Sequence, residues 1–238
     1  SSTVTRANSK FSLTTFSSQG KLTQIEYALV AVEHGDTCLG IKARDGVVLA
    51  TEKKLNSILV DETSVSKAAV ISDHIGASYA GITADFRVLM QKARKFAISY
   101  KSTYHEPVPS SQLCQELSTV VQEFTQSGGV RPFGVSILLA SFDHEGPHLY
   151  QVDPSGAYFS WKAAAIGKNM TNAKSFLERR YNEDQGLEDA IHTALMTLKE
   201  GFEGEMNEHN IELAVVGADK VFRVLTPNET RDYLSEIQ

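Results

Sequence analysis

The most informative stretch is residues 20–52, which read GKLTQIEYALVAVEHGDTCLGIKARDGVVLATE. In its first part, apolar residues recur at steps of three and four, a spacing typical of an amphipathic helix. These residues are Leu22, Ile25, Leu29 and Val32. This leading helix, at about residues 20–34, is expected to end at Gly35. Arg44-Asp45-Gly46 then separates two β-rich runs, which indicates an antiparallel hairpin. A helix therefore precedes the first strand pair.

Beyond the hairpin, strands and helices are predicted in alternating groups. Strand pairs are followed by helix pairs, and a last helix opens at Thr226-Pro227-Asn228-Glu229 with the spacing of a capping box. This grouping argues against βαβ units and favours an α+β fold, a four-layer α-β-β-α sandwich of two antiparallel sheets. The predicted strands are 37–43, 47–51, 68–71, 75–80, 135–142, 148–152, 158–166, 212–216 and 221–225, and the first helix pair is predicted to be capped by Thr83 and Ser110.

Composition limits the classes of function. The 238 residues are 42% hydrophobic, which suits one domain over residues 11–238, preceded by a polar, mobile arm at residues 1–10. No apolar run reaches the roughly 18 residues of a membrane span and no signal peptide is evident, so we expect a soluble protein without a membrane partner. A net charge of −6 without a basic block argues against nucleic acid as a partner. Two cysteines, Cys38 and Cys114, predict reduced intracellular thiols.

Common catalytic and ligand motifs are absent from the sequence. Residues 76–81, GASYAG, miss the serine-nucleophile pattern by one residue, so Ser78 is interpreted as a buried structural serine. His144 and His148 flank Gly146-Pro147, which predicts a turn rather than a helical metal site. Phosphate-binding glycine loops are also missing. We therefore expect no metal and no cofactor.

Four motifs resemble those of proteasome alpha-type subunits, most closely the alpha-2 type. They are residues 20–28 (GKLTQIEYA), 129–136 (GVRPFGVS), 153–156 (DPSG) and 181–191 (YNEDQGLEDAI). The resemblance implies the N-terminal-nucleophile hydrolase type of sandwich and a place in the seven-membered outer ring of the 20S core particle. The implied partners are other alpha subunits, proteolytic beta subunits below, regulatory ATPases or other activators above, and unfolded polypeptide in transit. The implied location is cytoplasm and nucleus.

The first two strands also resemble those of proteasome beta subunits, which are threonine hydrolases. That chemistry needs a nucleophile whose own free α-amine acts as base. Counting on the beta pattern puts Asp36, not Thr37, at the nucleophile position, and a peptide bond joins Asp36 to Gly35. Glu52 and Lys67 match two residues of the beta site, but they are interpreted as inherited framework or as serving another purpose. We therefore predict no catalysis and a structural, gating subunit.

Two alternatives stay open from the sequence. One is an N-terminal-nucleophile peptidase activated by cleavage between Asp36 and Thr37, which predicts a shortened mature chain. The other is a self-assembling scaffold without proteolytic partners, which predicts a homo-oligomer. The peptidase also predicts that substitution of Thr37 abolishes labelling by nucleophile-reactive probes, whereas the scaffold differs from the gating subunit in what co-purifies with the chain.

The resemblance also implies a gate cluster formed by two tyrosines, an aspartate and a proline. Here only Tyr27 matches, since Ser9, Lys10 and Ser18 stand at the other three positions. The leading helix that carries Tyr27 is expected to contact neighbouring subunits. We expect a weakened open-gate cluster, because the ring, the carboxylate and the rigid φ of proline are lost.

Two further sites follow from the resemblance. Ser127, Gly128, Gly129 and Val130 match the loop that narrows the channel. Lys67 matches the lysine that binds the terminal carboxylate of activator tails in a pocket between adjacent alpha subunits, and its positive charge suits that ligand. Ala68 replaces a larger aliphatic residue of that pocket.

Overall fold

The protein is described by a computed structural model that covers residues 23–126 and 130–237. Within these residues, strands and helices occur in groups, as predicted. In chain order they are α1 (Thr23–Glu33), β1 (Cys38–Ala43), β2 (Gly46–Glu52), β3 (Ala68–Ser72), β4 (Ile75–Gly81), α2 (Thr83–Tyr104), α3 (Ser110–Gln126), β5 (Val135–Asp143), β6 (Gly146–Val152), β7 (Tyr158–Ser160), β8 (Ala163–Ile166), α4 (Met170–Arg180), α5 (Leu187–Glu200), β9 (Ile211–Gly217), β10 (Arg223–Val224) and α6 (Pro227–Glu236). A 3-10 turn spans Glu62–Ser64.

The strands form two five-stranded antiparallel sheets. One has the order β10-β9-β2-β1-β8 and the other β3-β4-β5-β6-β7. In β2 every residue is buried, because alternate side chains enter different cores. Leu49 faces the core between the sheets, whereas Val48 faces the core beneath α4 and α5. A third core joins the other sheet to α2 and α3. The predicted α-β-β-α sandwich is confirmed.

The predicted strand 158–166 is divided between the two sheets. Its first part, β7, pairs with β6, and its second part, β8, pairs with β1. The change of sheet occurs at Trp161 and Lys162: the Trp161 N–H donates to the Leu149 carbonyl, and the Lys162 carbonyl accepts from the Lys42 N–H. A continuous β-rich sequence therefore does not show where a chain crosses from one sheet to the next.

Helix ends follow the prediction in part. Thr226 and Glu229 form the predicted capping box at α6. Ile82, rather than Thr83, is the N-cap of α2, and the Thr83 hydroxyl bonds instead to the Tyr79 hydroxyl at 2.9 Å. Ser110 is the first residue of α3 and is fully buried. The predicted cap at Thr83 is therefore wrong, because its hydroxyl bonds to a side chain at the end of β4 instead of capping the helix.

The hairpin and the leading helix lie where they were predicted. Ala43 pairs with Gly46, so Arg44 and Asp45 form the two-residue turn. The helix is followed by Gly35, whose N–H donates to the Val32 carbonyl. The predicted arm at residues 1–10 and the predicted helix start at residues 20–22 lie outside the described residues. None of the helices within the described ranges has the length and hydropathy needed to cross a membrane.

Candidate functional site

Helix α1 packs against β4 and β5. Two of its own residues, Ala28 and Val32, are buried on the side that faces the sheet. Its other face is exposed, and Tyr27 is 56% accessible. The helix therefore covers the sheet with one side and offers an aromatic ring to solvent with the other.

Only part of the predicted gate and channel is described. Tyr27 lies on the exposed face of α1, whereas Ser9, Lys10 and Ser18 lie outside the described residues. Of the predicted channel loop, Ser127, Gly128 and Gly129 also lie outside them. Val130 is the first described residue after that gap and is 39% exposed.

The segment that joins α1 to β1 is hydrogen-bonded on both sides. The Gly35 carbonyl accepts from the Lys168 N–H at 2.9 Å, and the Thr37 carbonyl accepts from the Glu52 N–H at 2.9 Å. The Thr37 hydroxyl donates to the Lys168 carbonyl at 2.6 Å. Thr37 is also buried. The segment is therefore held as an integral part of the fold.

Three glycines let this segment lie directly on neighbouring backbone. A Cβ at Gly35 would lie 2.4 Å from the Gly81 nitrogen, and one at Gly167 would lie 2.6 Å from the Asp36 carbonyl oxygen. Gly81 and Gly167 also have φ of +124° and +88°, which favours glycine. The main chain at residues 35 and 36 is consequently packed closely against the backbone of residues 81 and 167.

Two ion pairs surround Asp36 and Thr37. The Lys67 Nζ lies 3.9 Å from the Asp36 carboxylate and 3.9 Å from the centre of the Tyr79 ring. The Lys168 Nζ lies 2.9 Å from the Glu52 carboxylate. Glu52 and Lys67, the two residues that match the beta site, thus face different partners. Within residues 23–126 and 130–237, the ion-pair partners of these two side chains are Lys168 for Glu52 and Asp36 for Lys67.

Glu212 holds the chain around Lys67, a role that sequence reasoning missed. Its carboxylate accepts from the N–H groups of Lys67 and Ala68 at 3.0 and 3.2 Å, and from the Ser66 hydroxyl at 3.1 Å. Glu212 is buried in β9, far along the chain. Three charge-assisted bonds therefore fix the backbone from which the Lys67 side chain projects.

Asp85 and Arg131 form a second contact that sequence reasoning missed. The carboxylate of Asp85 also accepts from the Gly134 N–H at 2.9 Å. Burial alone would raise the pKa of Asp85, but the hydrogen bonds from Arg131 and Gly134 outweigh it and hold that pKa below its usual range. This contact fixes the chain immediately after the predicted channel loop to the start of α2.

The other candidates do not form a catalytic group. Ser78 is fully buried, and its hydroxyl donates to the Lys67 carbonyl at 2.8 Å, as expected of a structural serine. The potential ligand atoms of Asp143, Glu145 and His148 all lie within 4.8 Å of one another, but His144 is outside that group. The two histidines are therefore not brought together as metal ligands.

Comparison with known proteins agrees with this architecture. The family model described as "Proteasome subunit" matches residues 32–216. The chain is 65% identical to proteasome subunit alpha type-2-A of Arabidopsis thaliana over 228 residues, covering 96% of this chain and 97% of that protein. It is 60% identical to proteasome subunit alpha type-2 of Dictyostelium discoideum, with 94% and 96% covered. The corresponding Drosophila melanogaster protein is 55% identical, with 95% and 97% covered.

The family match lies within the part of the chain that is similar to the three relatives. The matched family region extends from the end of α1 into β9, and the similarity to the three relatives extends over more than nine-tenths of the sequence. The chain belongs to the proteasome subunit family, as an alpha-type member similar to alpha type-2 subunits.

Proposed function

We propose that this chain is a non-catalytic structural and gating subunit of the outer alpha ring of the proteasome core particle. It admits unfolded polypeptide to beta subunits, excludes folded domains and docks activators, in the cytoplasm and the nucleus. The observation that carries the proposal is the internal fixation of Gly35, Asp36 and Thr37. Family membership supplies the assembly in which such a subunit acts.

The lack of catalysis follows from the chemistry at residues 35–37. An N-terminal nucleophile needs its own free amine, but the Thr37 nitrogen is part of a peptide bond. Its hydroxyl donates to a main-chain carbonyl and is not directed to a base. Hydrolysis before Thr37 would have to reach a bond next to the buried Thr37, between two hydrogen-bonded carbonyls, those of Gly35 and Thr37.

Assembly with other subunits is supported by exposed apolar residues. Ile58 and Leu59, in the loop after β2, are 101% and 90% exposed. Tyr27, Leu29 and Val30 lie exposed on α1. Apolar side chains grouped in this way are typical of protein contact surfaces. We assign α1 and the loop after β2 to contacts within a seven-membered ring that rests on beta subunits.

Gating would use Tyr27 and the channel loop. Tyr27 is exposed and available to contact chain tails, while Ser9, Lys10 and Ser18 supply neither ring, carboxylate nor proline. Val130 is exposed beside the Arg131–Asp85 pair, which fixes the chain immediately after the predicted channel loop. This subunit would therefore narrow the channel through residues 127–130 while contributing weakly to the open arrangement of the tails.

Activator docking would use the Lys67 ammonium. Its backbone is fixed by Glu212, which gives the side chain a defined origin. The side chain is only 9% exposed, because Asp36 and Tyr79 surround it. A terminal carboxylate would thus have to approach the Lys67 ammonium beside the Asp36 carboxylate, which already forms an ion pair with it.

The test of inactivity is labelling of the assembled particle with an electrophilic peptide probe for threonine nucleophiles. Particles carrying the wild-type chain or Thr37→Ala should give the same labelled subunits, with no label on this chain. Label on wild-type chain that Thr37→Ala removes would establish the alternative, a peptidase activated by cleavage before Thr37. Labelling of beta subunits in the same sample is the positive control.

A further inference from the structure

The Lys67 ammonium already has an anionic partner, Asp36, within its own chain. The two side chains form an ion pair in which Lys67 is 9% exposed and Asp36 is 24% exposed. The Tyr79 ring covers a further side of the ammonium. Lys67 therefore has a carboxylate partner from its own chain, and that carboxylate is the more solvent-exposed member of the pair.

The neighbouring charges leave no surplus of positive charge around Lys67. Lys168 is paired with Glu52 at 2.9 Å. Burial alone would lower the pKa of Lys168, but Glu52, with contributions from Asp36 and the exposed Glu203, raises it. The Asp36 carboxylate thus acts on both lysines. With Glu212, whose carboxylate accepts from the Lys67 N–H, the two lysines are accompanied by three carboxylates, so this cluster has no surplus of positive charge.

A cluster without surplus positive charge has little long-range attraction for an anion. A ligand carboxylate that approaches Lys67 exchanges one ion pair for another, so it gains only the difference between the two interactions. If Asp36 were neutral, the cluster would carry one negative charge fewer and Lys67 would lack its internal partner.

We propose that Asp36 is an intramolecular competitor for the Lys67 ammonium, so that a carboxylate-ended peptide must displace Asp36 to bind at this subunit. The inference rests on the docking role proposed above for Lys67. It makes Asp36 a specificity-determining residue that weakens docking of carboxylate tails here. Ligands that contact this surface without a terminal carboxylate are unaffected by the competition.

The test uses the assembled particle and a short synthetic peptide that carries a photoreactive group and a free terminal carboxylate. The amidated peptide serves as the uncharged counterpart. The readout is the peptide concentration that gives half-maximal crosslinking to this chain, measured by mass spectrometry. The particles contain wild-type chain, Asp36→Asn, Lys67→Gln or both changes. Glu33→Gln, which removes an exposed negative charge close by in sequence, is the matched control.

For Asp36→Asn we expect the half-saturating concentration of the carboxylate peptide to fall about three- to tenfold, the range of one partly exposed ion pair. The fall should be absent with the amidated peptide, in the double variant and in Glu33→Gln. Asp36→Ala should repeat it, which excludes a new hydrogen bond from the asparagine. Native mass spectrometry establishes that each variant chain is assembled before crosslinking is measured.

Two contrary results separate the inference from the function on which it rests. If Lys67→Gln weakens crosslinking while Asp36→Asn and Asp36→Ala leave it unchanged or weaken it, the competition is wrong and docking at Lys67 stands. If Lys67→Gln leaves crosslinking of the carboxylate peptide unchanged, and the wild-type chain crosslinks equally to the amidated peptide, docking of carboxylates at Lys67 is wrong. The proposed competition is then wrong as well.

Discussion

The guanidinium of Arg131 contacts both carboxylate oxygens of Asp85, with two nitrogen-to-oxygen distances of 2.6 Å. Asp85 lies at the start of α2 and is buried, whereas the Arg131 side chain is 60% exposed. A bidentate pair of this kind fixes orientation as well as distance. This pair ties the chain that follows residue 130 to the start of α2.

Replacing Arg131 by alanine leaves the buried Asp85 carboxylate with the Gly134 N–H and without its cation. We expect Arg131→Ala to lower the free energy of unfolding by about 2 kcal/mol, because a buried charge loses its partner. Urea unfolding of the isolated chain at neutral pH measures the change. Arg87→Ala, on the exposed side of α2, is the control and should change it by less than about 0.5 kcal/mol. Equal losses for the two variants would contradict the role assigned to Arg131.

The Asp85 pair also predicts a pH dependence. Because the folded pKa of Asp85 lies below the unfolded value of about 3.9, the pair stabilises the fold fully above that value and loses its effect as pH falls through the folded pKa. The stability difference between wild-type chain and Asp85→Asn should therefore be constant from neutral pH to about pH 5 and shrink by pH 3. A difference that stays the same at pH 3 and pH 7 would show that the ionised carboxylate does not matter.

Gly167 permits the close approach of the main chain at Asp36. Gly167→Ala combines a strained positive φ with a 2.6 Å contact to the Asp36 carbonyl oxygen, so we expect a loss of stability of more than about 3 kcal/mol. Gly146→Ala is the matched control, because Gly146 has φ of +108° and no neighbour within 4 Å of the added Cβ. It should cost only about 1–2 kcal/mol. Thermal unfolding of both variants separates the cost of the positive φ from the cost of the steric contact with Asp36. Equal losses of stability would mean that residues 35 and 36 can move away from the added Cβ.

Glu212 is predicted to control the backbone around Lys67. Glu212→Ala removes the acceptor of the Lys67 and Ala68 N–H groups, and we expect their hydrogen exchange to accelerate about tenfold or more. Exchange at β1 amides in the same sample is the internal control. Glu212→Gln keeps one acceptor oxygen and should give a smaller acceleration. If both amides exchange at the wild-type rate in Glu212→Ala, the carboxylate does not hold this segment.

The two cysteines are predicted to be unreactive in the folded chain. Burial raises the pKa of Cys38 to about 11, and burial raises that of Cys114 to about 12. At pH 8 neither thiol has an appreciable thiolate fraction, which is the reactive form. Alkylation followed by mass spectrometry should modify neither in native protein and both in denaturant. Rapid modification of either cysteine in native protein would show that its core opens.

Local sequence signals predicted the elements that depend on neighbours in the chain. The hairpin turn at Arg44 and Asp45 and the capping box of Thr226 and Glu229 need only a few adjacent residues. The layered grouping then followed from the order of elements. The split of strand 158–166 was missed, because its two parts have the same β-rich composition and differ only in their distant partners.

The contacts at the site were less accessible to sequence reasoning. Asp85 meets Arg131 across 46 positions, and Glu212 meets Lys67 across 145. Such pairs have no periodicity, since the fold alone brings the partners together. The position of Asp36 was recognised from the beta pattern, yet its pairing with Lys67 required the geometry. The channel loop at residues 127–129 and the gate positions before residue 23 stay predictions.

The most direct test of the central claim is native mass spectrometry, with subunit ejection, of the particle that co-purifies with this chain from its own cells. The account predicts a large assembly with other alpha-type and beta-type subunits, in which the ejected chain retains the residues before Thr37. A chain that begins at Thr37 would contradict the non-catalytic assignment. An assembly made only of this chain would instead support a self-assembling scaffold and contradict its place in a proteasome ring.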